Sequence, residues 1–258
     1  MIDTIVFDLD GTLLNTLEDL KDSVNYALSR QNFPQRSLTE IRSFVGNGIR
    51  LLMERSVPEN IDSEIFEICF KDFCDYYKIH MEDKTAPYDG INDMLKSVKN
   101  AGFKTAIVTN KADFAAQDLC KRMFGDTIDL VVGSVDDRPN KPAPDGVYYA
   151  LEVLNSKLEN TIFVGDADTD IITAKNAGLP SIGVLWGFRD REIIENEGAE
   201  YIVETVKDLE KLLISLKNGW FWRFFNKKFD KQTEKWDNVN ICWQVGVDYE
   251  SNYRWSKG

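Results

Sequence analysis

Residues 2–12, Ile-Asp-Thr-Ile-Val-Phe-Asp-Leu-Asp-Gly-Thr, constrain this chain more than any other stretch. The short apolar run Ile5-Val6-Phe7 delivers two carboxylates, Asp8 and Asp10, and stops at Gly11. A buried parallel strand reads as a short, nearly continuous apolar segment. In open α/β sheets the chemistry sits beyond the carboxyl ends of such strands. Two aspartates at spacing two are costly to place together there unless a cation offsets them. An acidic turn after an edge strand is the plainer reading of this stretch alone, and the rest of the chain argues against it.

The same arrangement recurs. Thr105-Ala106-Ile107-Val108 runs into Thr109-Asn110, and Thr161-Ile162-Phe163-Val164 runs into Gly165-Asp166. Residues 128–132, 181–185 and 201–203 read as further strands. Ile91, Met94, Leu95 and Val98 fall at helical spacing with Gly102 placed to stop them, and helices are expected over 112–123, 146–155, 168–177 and 206–216. Strands separated by helices of roughly 10–15 residues give βαβ units and a parallel sheet. Residues 16–84 break the rhythm. Leu17, Leu20, Val24 and Leu28 form one helical stripe, with Asn15 and Glu18 expected as its capping box. Shorter stripes flank Gly46-Asn47-Gly48, and Asp62-Ser63 caps a further helix through Tyr76. The expected architecture is α/β: a Rossmann-like parallel-sheet core from residues 1–15 and 85–216, an inserted α-helical unit over 16–84, and an extension over 217–258.

Charge narrows the function classes. A net charge of −12 argues against a nucleic-acid partner. It leaves an anionic substrate possible, because one Lys and one divalent metal reverse the potential locally. The four cysteines form no CxxC pair, which suits a reducing compartment. The N-terminus carries no signal-peptide pattern, and no stretch reaches the about 18 apolar residues of a membrane span. A cytoplasmic protein is expected.

The extension differs in composition. It holds five of the six tryptophans, and eight Lys and Arg against five Asp and Glu, a balance of +3. Val239 to Glu250 alternates strictly between apolar and polar residues, as a half-buried strand does. One strand alone is not stable, so it must pair within the tail, onto the body or with another chain. Trp220–Phe225, with Lys227 and Lys228, fits an interfacial helix, and packing on its own domain is the plainer reading. The oligomeric state stays open.

Four signals at strand ends then line up in order: Asp8-Leu9-Asp10-Gly11-Thr12 with Leu13 and Leu14; Thr109-Asn110; Lys141 within Asn-Lys-Pro-Ala-Pro; and Gly165-Asp166-Ala167-Asp168-Thr169-Asp170. Over residues 1–216 the chain resembles the haloacid dehalogenase (HAD) superfamily. The resemblance implies a helical lid of the C1 type over the active site and phosphoryl transfer through an aspartyl phosphate. It implies Asp8 as nucleophile and Asp10 as general acid and base. Thr109 and Asn110 would hold phosphoryl oxygens, and Lys141 would neutralise charge between nucleophile and phosphate. Mg²⁺ is the implied cofactor, with Asp8 and Asp166 as direct ligands, a contact from the Asp10 backbone carbonyl, and Asp170 orienting water. Asp168 reads as a helix N-cap. The second carboxylate, Asp10, favours a phosphatase over a dehalogenase.

Phe44-Val45-Gly46-Asn47-Gly48-Ile49-Arg50, with Glu54-Arg55, resembles the cap segment of the phosphoglycolate phosphatase branch. Pro87-Tyr88-Asp89-Gly90-Ile91 and the Lys141 loop share that style. Asn15, in place of an acidic residue, and the polar Asp136-Asp137-Arg138-Pro139 depart from it. The implied partner is a small phosphorylated metabolite of the 2-phosphoglycolate type. Relatives acting on pyrophosphate, nucleotides or sugar phosphates, a β-phosphoglucomutase-like phosphomutase, and a non-catalytic binding protein are the alternatives. Asn47 and Arg50 are candidate specificity residues, Arg50 because its planar fork suits a carboxylate; a surface Arg on a cap helix is the plainer reading. His80, the only histidine, reads as structural.

Overall fold

The computed structural model describes residues 1–218. The chain enters through β1 (Thr4–Phe7) and β2 (Leu14–Asn15), then leaves the sheet for four helices, α1 (Leu17–Arg30), α2 (Leu38–Phe44), α3 (Ile49–Ser56) and α4 (Ser63–His80). It returns through β3 (Ala86–Pro87) and α5 (Ile91–Asn100). Strand and helix then alternate: β4 (Lys104–Ala112), α6 (Asp113–Phe124), β5 (Leu130–Ser134), α7 (Asp145–Val153), β6 (Thr161–Gly165), α8 (Asp168–Ala177), β7 (Ser181–Val184), α9 (Arg191–Asn196), β8 (Tyr201–Val203) and α10 (Val206–Lys217).

Six strands form one parallel sheet in the order β5-β4-β1-β6-β7-β8. Side chains alternate between its faces, and both faces are covered. Ile5, Phe7, Ile107, Ile162 and Val164 pack with α5, α6 and α10. Val6, Ala106, Val108 and Phe163 pack with α7 and α8 on the other side. Two-sided burial explains why these strands read as continuous apolar runs. From β1 the chain builds outward to β4 and β5, then crosses back to β6 on the far side of β1. Such a reversal opens a crevice at the carboxyl end of the central strand, where β1 releases Asp8 and Asp10.

The inserted helices have a separate core, in which Val24, Leu28, Ile41, Met53, Cys69 and Phe73 are buried. Ala115 and Phe188, from the sheet unit, join that cluster and seat the helices over the crevice. The insertion leaves and returns through a short antiparallel pair, with Leu14 opposite Pro87 and Asn15 opposite Ala86.

This pairing corrects one expectation. Asn15 does not form a capping box with Glu18, because pairing with Ala86 draws it into β2 and the N-cap falls on Thr16. Asn15 Oδ1 accepts a long 3.4 Å bond from Leu17 N instead. The capping box in this region joins Ser37 and Glu40. Asp168 likewise is the first residue of α8 rather than its cap, which is Ala167, because Asp170 folds back onto the cap's backbone N–H. Among the described residues no helix is long and apolar enough to cross a membrane. The strand expected over 239–250 and the helix expected around 220–225 lie outside the described residues.

Asp19, on the first turn of α1, is 2% exposed. Its carboxylate accepts from Lys84 N at 3.1 Å, and from Thr85 N and Thr85 Oγ1 at 2.8 Å each. One buried charge thus ties the outgoing helix to the returning strand. Asp19→Ala strands these donors and is expected to lower the unfolding free energy by about 3 kcal/mol. Urea denaturation measures it, and a loss below about 0.5 kcal/mol would contradict the assigned role.

Candidate active site

The crevice is lined from three adjacent strands. Asp8 and Asp10 follow β1, Thr109, Asn110 and Lys111 lie near the end of β4, and Asp166 follows β6. Lys141 comes from the loop between β5 and α7, and Asp170 from the first turn of α8. The structure therefore brings together Asp8, Asp10, Thr109, Asn110, Lys141, Asp166 and Asp170.

Lys141 is the hub. Its side chain is 4% exposed, with Nζ 2.6 Å from Asp8 Oδ1 and 2.7 Å from Asp170 Oδ1. Burial opposes its charge, but Asp170 and Asp8 outweigh it, and the ammonium is held above its ordinary pKa. Asp170 Oδ2 accepts from the backbone N–H groups of Asp166 and Ala167, at 3.1 and 3.0 Å. Asp166 is fixed by Thr12 Oγ1 and the Phe188 N–H, each donating at 2.8 Å. Asp8 Oδ1 takes its bond from Lys141, and Asp8 Oδ2 has no hydrogen-bond donor among the described residues. One oxygen of Asp8 is thus anchored and the other left for chemistry.

Glycines let these groups approach, Gly11 and Gly165 among them. Gly11 has φ +98°, and a Cβ there would come 2.4 Å from Asp166 Oδ2. A Cβ on Gly165 would come 2.2 Å from the Asp170 Cβ. Any side chain at either position would push the acidic cluster apart.

Ligand oxygens of Asp8, Asp166 and Asp170 all lie within 4.8 Å of one another, and all three residues are buried. One ammonium faces three carboxylates. Burial, then Asp170, pushes the Asp166 carboxyl up to about 7, and burial pushes Asp8 up as well despite Lys141. An all-oxygen set with excess negative charge fits a hard divalent cation, which takes carboxylates and keeps waters. The Asp10 carboxylate stands apart from this set and pairs with Lys111 at 3.2 Å.

Asn110 is committed as a clamp. Its amide donates to Lys141 O and Gly46 O and accepts from Lys141 N at 2.8 Å. Thr109 Oγ1 accepts from Lys111 N at 3.2 Å, and its hydroxyl hydrogen stays available to the crevice it lines. Asn47 donates to Thr169 Oγ1 at 3.3 Å, linking the helical unit to α8. Arg50 does not line the crevice. It pairs with Glu67 and Glu54 on the cap surface and lies over Phe66 and Phe70. His80 stacks on Tyr76 and pairs with Asp83, away from the crevice.

Four contributors are absent from the sequence-based set: Thr12, Tyr77, Lys111 and Arg189. Lys111 carries a usable signal, since it lies two residues beyond Thr109 in an extended strand and so on the same face. Tyr77 and Arg189 carry none, because their positions depend on how the helical unit docks. Arg189 donates to the backbone carbonyls of Arg42 and Val45 while pairing with Asp168.

The acidic cluster sets a pH dependence. With Asp166 titrating near 7 when folded and about 3.9 when unfolded, the folded state holds more protons across that window. Stability of the metal-free protein therefore falls as pH rises from about 4 to 7. Thermal melts in chelator are expected to show a Tm several degrees lower at pH 8 than at pH 6. Mg²⁺ should raise Tm more at pH 8, and Asp166→Asn should weaken both effects. A metal-free Tm that rises from pH 6 to pH 8 would contradict the cluster's charge excess.

Residues 5–184 match the family model described as haloacid dehalogenase-like hydrolase. The chain is 33% identical to a phosphoglycolate phosphatase of Colwellia psychrerythraea, over 83% of this chain and 97% of that protein. It is 31% identical to a phosphoglycolate phosphatase of Neisseria meningitidis, over 84% and 96% respectively. The crystal structure of a predicted phosphatase from Clostridium acetobutylicum superposes with a TM-score of 0.74 at 34% identity, covering 83% of this chain and 99% of that one. The crevice geometry and this agreement along nearly the whole length of the relatives have one conclusion: the chain belongs to the haloacid dehalogenase-like hydrolase family, as an enzyme of its phosphatase type.

Proposed function

We propose that this enzyme hydrolyses a small phosphomonoester of the 2-phosphoglycolate type, through an aspartyl phosphate on Asp8 and with Mg²⁺ as cofactor. The observation that carries the reading is the asymmetric anchoring of Asp8, one oxygen held by Lys141 and the other unbonded among the described residues. In the first half-reaction Asp8 Oδ2 attacks phosphorus, and the bond from phosphorus to the leaving oxygen breaks. Asp10 gives that oxygen its proton. In the second, Asp10 takes a proton from water, the water oxygen attacks phosphorus, and the acyl-phosphate P–O bond breaks to restore Asp8 and release phosphate. Lys141 and Thr109 hold phosphoryl oxygens in line with Asp8, and positioning of this kind is most of what phosphoryl transfer needs. Asp8, Asp166, the Asp10 carbonyl and, through water, Asp170 would hold Mg²⁺, which when bound supplies charge neutralisation at the phosphoryl oxygens.

The crevice supports a small substrate. Its free cavity is about 50 Å³, room for a few waters, and Val45, Ile49, Leu52, Tyr77 and Phe188 close it from above. The names of the two relatives support 2-phosphoglycolate within that class.

Phosphate release from 2-phosphoglycolate, pyrophosphate, nucleoside monophosphates and hexose phosphates tests the reading. Metal-dependent release fastest from 2-phosphoglycolate is expected, with Asp8→Asn reducing kcat at least about 10⁴-fold. Faster release from pyrophosphate or a nucleotide would overturn the substrate, and undiminished turnover by Asp8→Asn would overturn the mechanism.

A further inference from the structure

We propose that Lys111 recognises the non-reacting carboxylate of the substrate, reading it beside the leaving oxygen that Asp10 serves. This inference rests on the 2-phosphoglycolate-type reading above and assigns the residue that selects for it.

Lys111 lines the same crevice as Asp8, Thr109 and Lys141. Its side chain is 4% exposed, with Nζ 3.2 Å from Asp10 Oδ1 and 2.6 Å from the Tyr77 hydroxyl. An ammonium has three N–H donors and no acceptor. Asp10 and Tyr77 are its hydrogen-bond partners among the described residues, so one donor is left at the crevice wall. A buried cation with an unmatched donor is costly, and an anionic oxygen of a ligand offsets that cost.

Position explains why the ligand oxygen belongs to a carboxylate on a short chain. In an ester of the form ⁻O₂C–CH₂–O–PO₃, the carboxylate carbon is two bonds from the leaving oxygen. Asp10 must reach that oxygen, so a cation in contact with Asp10 lies where the carboxylate arrives. The other cations near the crevice are engaged elsewhere. Lys141 spans Asp8 and Asp170, and Arg189 reaches Asp168 and the cap backbone. Arg50, the residue the sequence suggests for this task, is held outside by Glu67. Tyr77 belongs to α4, so the aim of Lys111 also depends on the helical unit being seated.

The test compares kcat/KM for 2-phosphoglycolate and for 2-hydroxyethyl phosphate, which carries a neutral alcohol in place of the carboxylate, in wild type, Lys111→Met and Lys111→Gln. Wild type should prefer the acid. Both variants should lose kcat alike on both esters, through Asp10, and about a further hundredfold on the acid alone, through KM, so the preference collapses. Lys111→Gln keeps a donor for Asp10 and a polar contact for Tyr77, and serves if the Met variant does not fold. Equal losses on both esters, confined to kcat, would mean Lys111 only steadies Asp10 and would overturn the assignment. A wild-type preference for the acid that survives in both variants overturns it too, while leaving the substrate reading intact. A wild type that turns over both esters equally overturns the substrate reading and this inference with it.

Discussion

The fold is arranged around one buried ammonium. Lys141 sits between Asp8 and Asp170, with Asp166 inside the same 4.8 Å cluster. Three carboxylates against one cation are electrostatically unfavourable in a low-dielectric site. The surrounding structure supplies partial compensation: two backbone N–H groups on Asp170, and Thr12 with the Phe188 N–H on Asp166. Glycines at 11 and 165 permit the approach. Sites of this kind are commonly where charge and strain are tolerated for function.

A second layer of contacts crosses from the helical unit to the sheet unit. Tyr77 meets Lys111, Gly46 O meets Asn110, Asn47 meets Thr169, and Arg189 spans Arg42 and Val45. Each engages a residue within or beside the acidic crevice. Seating the helices therefore fixes Asp10, through Lys111, and Lys141, through Asn110. Closure of such a unit excludes water and completes a catalytic constellation in one movement.

Much of this arrangement is legible in the amino-acid sequence. Buried parallel strands leave short apolar runs, so β1, β4 and β6 and the acidic or hydroxyl residues near their carboxyl ends are readable, and α8 falls at its expected bounds. Local cues fail where tertiary pairing decides the outcome. Asn15 has the residue type of a cap, but Ala86, seventy-one positions on, recruits it into β2. The two-residue strands and the six-residue α9 are too short for periodicity to register. Residue type makes Arg50 a candidate for the substrate beside the plainer reading of a surface Arg, and Phe66, Phe70 and Glu67 hold it on the cap surface. For Lys111 the sequence offers only its place two residues beyond Thr109, because its role depends on Asp10 and Tyr77, which lie 101 and 34 positions away.

On this account Asp8 takes the phosphoryl group, and every other role in the crevice follows from that. Borohydride reduces an acyl phosphate to an alcohol, so an aspartyl phosphate trapped during turnover leaves homoserine in its place. Peptide mass spectrometry of enzyme quenched into borohydride in the steady state is the most direct measurement. Homoserine at position 8, appearing only with substrate, is the result expected. Reduction at Asp10 or Asp166, or an unmodified position 8 in enzyme shown to be turning over, would contradict the account.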